Sequence, residues 1–202
     1  MKIILGRRRS IGLAGAAIWL IAISFVCGVW SLLVIGTPIA KLALIGIFVL
    51  VGALFVASIM VIRAALGLPV TNTPRTPEER QMGRQFAWVF GAETLAFVIV
   101  NSVVIATGNI EMIVSLDLII VGVHFFPLAR IFRVPRYNLM GLLFCVIPLA
   151  TLLTIPRQLE IGHALAWYVV PSLGCGFVAS LTAAIGLLEA WQSISKTRGV
   201  AS

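Results

Sequence analysis

Apolar positions in this chain fall into long, nearly continuous runs separated by short polar breaks. They do not alternate as in a half-buried strand, nor recur every third or fourth residue as on a surface helix. The runs cover residues 11–35, 39–63, 86–108, 112–132, 137–155 and 165–191. A helix needs about 20 mainly apolar residues to cross the hydrocarbon core of a bilayer, and each run reaches or approaches that length. The pattern predicts an all-α, polytopic transmembrane bundle of about six helices, forming a single domain over residues 1–202. Short breaks make sequence neighbours antiparallel.

Composition sharpens this picture. Hydrophobic residues are 60% of the chain and charged residues 11%. A soluble domain is about half apolar and about a quarter charged, so the lipid bilayer is the expected partner, and disorder is excluded. The net charge of +8 would point to nucleic acid in a soluble chain. Here no basic face with interleaved aromatics lies outside the apolar runs, and no nucleic-acid partner is expected. With the N-terminus inside, every lysine and arginine except Lys41 and Arg157 falls on the cytoplasmic side. That is the positive-inside bias, and it predicts both termini in the cytoplasm and a multi-pass place in a bacterial-type inner membrane. Trp30, Trp88, Tyr137, Trp167, Tyr168 and Trp191 lie near run ends, where amphipathic rings suit the headgroup region; only Trp19 is mid-span. The first run is too long for a cleavable signal and reads as a retained helix.

Local signals add detail. Thr76-Pro77-Glu78-Glu79 combines an N-cap, a proline at the first helical position and a capping-box glutamate. The third helix is therefore expected to start near Pro77, before the bilayer. Ser172, Gly176, Ser180 and Ala184 form a ladder of small residues on the sixth helix, suited to close approach of another helix within the chain or, alternatively, to a helix-mediated oligomer. Gly91 and Gly186 also read as packing glycines. Cys27, Cys145 and Cys175 lie in apolar runs without C-x-x-C spacing and read as packing residues, with no disulfide or metal expected.

Ionisable groups at membrane depth cost about 2.5–3.5 kcal/mol each on insertion scales and seek partners. Four residues need such an account: Glu93 and Asn101 on the third helix, Asp117 and His124 on the fourth. The turn at Gly108-Asn109 makes these helices an antiparallel hairpin. Residues equally far along the chain from that turn share a depth, which sets Glu93 level with His124 and Asn101 level with Asp117. Asp117 and His124 share a helix face, while Glu93 and Asn101 diverge by about 80°, so the Asn101–Asp117 pairing is expected to be looser. A Glu–His pair can hold or pass a proton, or it can simply lock the hairpin. Pro127, one turn past His124, removes the donor for the Val123 carbonyl and predicts a kink. The only other histidine is His163, on the opposite face, so no histidine metal cluster can form.

Two stretches carry a resemblance. One runs Glu78-Glu79-Arg80-Gln81-Met82-Gly83-Arg84-Gln85-Phe86 and on through Phe90-Gly91-Ala92-Glu93. The other is Val121-Gly122-Val123-His124-Phe125-Phe126-Pro127-Leu128-Ala129-Arg130, followed by Pro135, Tyr137 and Gly141. Together they resemble a family of small, uncharacterised bacterial membrane proteins known only as a domain of unknown function. The resemblance covers about the central third of the chain. It implies an inner-membrane location and about six helices, and it implies no activity.

No H-E-x-x-H, G-x-S-x-G, Walker A or G-x-G-x-x-G pattern occurs, so no enzyme and no cofactor are expected. Two functions stay open. One is a small-solute or proton-coupled transporter using the third and fourth helices; the other is a structural or accessory membrane protein whose polar pairs only hold the hairpin.

Overall fold

The computed structural model describes residues 2–67 and 77–199. The chain is an all-α bundle of α1 (Lys2–Ile35), α2 (Pro38–Leu66), α3 (Pro77–Ala106), α4 (Ile113–Phe132), α5 (Arg136–Thr154) and α6 (Ala166–Gly199). Among the described residues, all six helices are long and apolar enough to cross a membrane. A 3₁₀ turn at Ile110–Met112 precedes α4, and a small antiparallel hairpin, β1 (Glu160–Ile161) with β2 (Ala164–Leu165), joins α5 to α6. α3 does begin at Pro77, although its cap Thr76 lies outside the described residues. α2 starts by the same device: Thr37 accepts a hydrogen bond from the Ala40 amide at 3.2 Å, with Pro38 as the first helical residue.

The core sits between α1 and α6, which pack together most extensively, and between α4 and α5. Small residues make both contacts close. Ala14, Ala17, Ala179, Ala183 and Ala190 are fully or almost fully buried. A Cβ on Gly176 would lie 3.4 Å from the Cys27 Cβ, and Ser24 donates to the Gly176 carbonyl at 2.8 Å while also bonding the Ser180 hydroxyl. The α6 ladder is thus filled by α1 of the same chain. α4 and α5 cross at Gly122 and Gly141, where an added Cβ at Gly141 would stand 2.7 Å from the Gly122 carbonyl oxygen. Cys145 fills the space beside this crossing, and all three cysteines are free. Gly186 packs near the Arg136 guanidinium, but Gly91 is exposed with open space around it, so its reading as a packing glycine does not hold. A helix face that meets no second helix gives a glycine nothing to pack against.

α2 and α3 lie at opposite edges: α2 packs on α1 and α6, and α3 on α4. Their outer faces carry exposed large side chains such as Phe48, Phe55, Trp88 and Val98. In water these would drive aggregation; in a bilayer they are what lipid tails solvate. The β-hairpin seals one end of the bundle. Gly162 takes φ +67°, and the His163 amide donates to the Ile35 carbonyl at 3.3 Å, satisfying an acceptor left free at the end of α1.

Candidate functional site

The α3–α4 hairpin is shaped by its turn. Gly108 adopts φ +71°, which suits glycine. The Gly108 and Asn109 amides donate back to the carbonyls of Ile105 and Val104 at 3.1 and 3.0 Å, closing the end of α3 as a left-handed cap does. The chain then reverses through the 3₁₀ turn into α4, and the two helices run side by side.

The structure brings Glu93 and His124 together: Nδ1 of His124 is 3.1 Å from Oε2 of Glu93, and the two side chains are only 9% and 11% exposed. The N–H direction at Nδ1 is off the line to Oε2, so this is a close pairing without an aligned hydrogen bond. The Val89 backbone lies beside the His124 ring. Nδ1 is the ring nitrogen that faces the carboxylate. Phe90 and Phe125 stand edge-on to the imidazole, with centroids at 6.5 and 6.0 Å. Phe86, stacked on Phe90 and tilted against Phe132, extends this apolar wall.

Asn101 and Asp117 are neighbours one level away. Oδ1 of each is buried without a protein partner. α4 runs unbroken through Pro127, which leaves the Val123 carbonyl without its intrahelical donor. Among the described residues no three His, Cys, Asp or Glu side chains are grouped to hold a metal, and His163 sits exposed on the β-hairpin turn.

No family model, no curated protein and no solved structure matches the chain. What the site does must therefore be argued from its own chemistry. A Glu–His pair at this separation can keep a single proton between Oε2 and Nδ1. The proton belongs either to a carboxylic acid donating to the imidazole or to an imidazolium donating to the carboxylate, and no heavy atom need move far between the two.

Two ion pairs escaped the sequence reading because their members are far apart in the chain. Arg157 bonds Glu111 and Asn109, each at 2.5 Å, and lies over the Trp167 ring, tying the α3–α4 turn to the α5–α6 connection. Arg136 pairs with Glu189 at the other end of the bundle. The one signal for the first was that Arg157 was an exception to the charge bias.

Proposed function

We propose that the chain is a multi-pass protein of a bacterial cytoplasmic membrane that moves a small solute coupled to protons, with Glu93 and His124 as the group that takes up and releases the proton. The observation that carries this reading is a buried imidazole whose Nδ1 lies 3.1 Å from a buried carboxylate oxygen. Ionisable pairs at membrane depth are expensive and typically belong to ion or proton pathways, and histidine is the side chain that changes charge near neutral pH. Purified protein in vesicles loaded with a pH-sensitive dye tests this. Wild-type vesicles are expected to collapse an imposed pH gradient faster than empty ones, and Glu93→Gln should return the rate to that of empty vesicles. Equal rates for wild type and Glu93→Gln would remove the proton role.

A second reading has its own support. α3 packs on α4 and on little else, so the two polar pairs are its main specific fastenings. In this reading the chain is a structural or accessory membrane protein, and the pairs fix the register of one hairpin.

Orientation follows from the charge bias. Arg80, Arg133 and Lys196 belong in the cytoplasm, and Lys41 and Glu160 outside. Single cysteines at these positions, in a background lacking Cys27, Cys145 and Cys175, should react with a membrane-impermeant thiol reagent on intact cells only at positions 41 and 160. Labelling at position 80 from outside would reverse the topology.

A further inference from the structure

The second polar level is not used by the proton chemistry above, and its atoms have a character of their own. We infer that Asn101 on α3 and Asp117 on α4 form a binding site for one alkali-metal cation, with sodium as its reference ion. A carboxylate only accepts, and an amide has one accepting oxygen and two N–H donors. Oδ1 of Asn101 and Oδ1 of Asp117 are both buried and without a protein partner, on residues that neighbour each other across the two helices. Both unanswered atoms are therefore acceptors, contributed by two different helices at one depth.

Burying an acceptor unpaired is costly, and burying an uncompensated charge far more so. The neighbouring level differs in kind: its free atom is an imidazole nitrogen, suited to a proton. An all-oxygen set suits a hard cation instead. Charge then decides between monovalent and divalent ions. One carboxylate balances one positive charge, whereas a divalent ion would leave an excess charge in a medium of low dielectric. Water and main-chain carbonyls would complete the coordination shell. Cation binding here does not depend on the transporter reading; only its role as a second coupling ion rests on that reading.

The test is the melting temperature of the purified protein in detergent, followed by tryptophan fluorescence, with sodium chloride replacing choline chloride at fixed ionic strength. The wild type should show a saturable rise of about 3–6 °C, as expected for an ion that binds only the folded state. Asp117→Asn and Asn101→Leu should lose the rise, and Glu93→Gln should keep it. Should Asp117→Asn not fold, equilibrium binding of radioactive sodium to the wild type decides, with saturation at about one ion per chain expected. No saturable effect of sodium, potassium or lithium on the wild type, or a full rise in Asp117→Asn, would overturn the site. Loss of the rise in Glu93→Gln would place the ion at the wrong level and overturn it too. The proton reading fails separately, through unchanged proton flux in Glu93→Gln while Asp117→Asn still loses the sodium response.

Discussion

Replacing Glu93 or His124 alone by leucine is expected to destabilise the protein by about 3 kcal/mol, and replacing both together should recover most of that loss. The asymmetry comes from what each change leaves behind. Either single variant strands a polar or charged group at a largely buried position, and breaking a buried pair costs far more than removing it whole. The double variant removes both polar side chains and leaves neither stranded. Unfolding of all four proteins in one detergent measures this. A double variant no more stable than the worse single would mean that the two side chains are not energetic partners, whatever their separation.

A second large effect is expected where α4 meets α5. At Gly122 an added Cβ would lie 2.6 Å from Cys145 Sγ and 2.9 Å from the Gly141 carbonyl oxygen, and at Gly141 it would lie 2.7 Å from the Gly122 oxygen. Two of these obstacles are backbone, so the helices themselves must separate. Gly141→Ala should therefore cost about 1–3 kcal/mol, the usual range for overpacking, and Gly122→Leu should prevent folding. Gly91→Ala is the control, because its surroundings are open. There alanine should be neutral or stabilise by about 0.5–1 kcal/mol through helix propensity. Equal tolerance at positions 91 and 141 would contradict the close crossing.

The contrast between Gly91 and Gly141 marks the limit of reading such a chain from its sequence. Run length gives the helices, because a bilayer imposes one thickness on all of them. The depth of Glu93 against His124 is legible too, since a tight turn at Gly108 fixes the register of an antiparallel hairpin. Which face of a helix meets another helix is not legible when every face is apolar. That is why Gly91 looked like a packing residue and the Gly122–Gly141 crossing was not foreseen. Order of packing is equally hidden: nothing in the runs says that α1 fills the ladder on α6, or that α2 and α3 lie at the edges. Thr37-Pro38 was a readable start signal of the same kind as Thr76-Pro77. The pairing of Arg157 with Glu111 joins segments whose proximity depends on the whole bundle.

The central claim is that Glu93 and His124 hold one proton between them. Infrared difference spectroscopy of the protein in lipid, recorded across a pH step, observes it most directly. A carboxylic-acid carbonyl band is expected to grow and fade with pH, to be absent in Glu93→Gln, and to shift in both position and midpoint in His124→Asn. A band from Glu93 that titrates identically with and without the imidazole would contradict it.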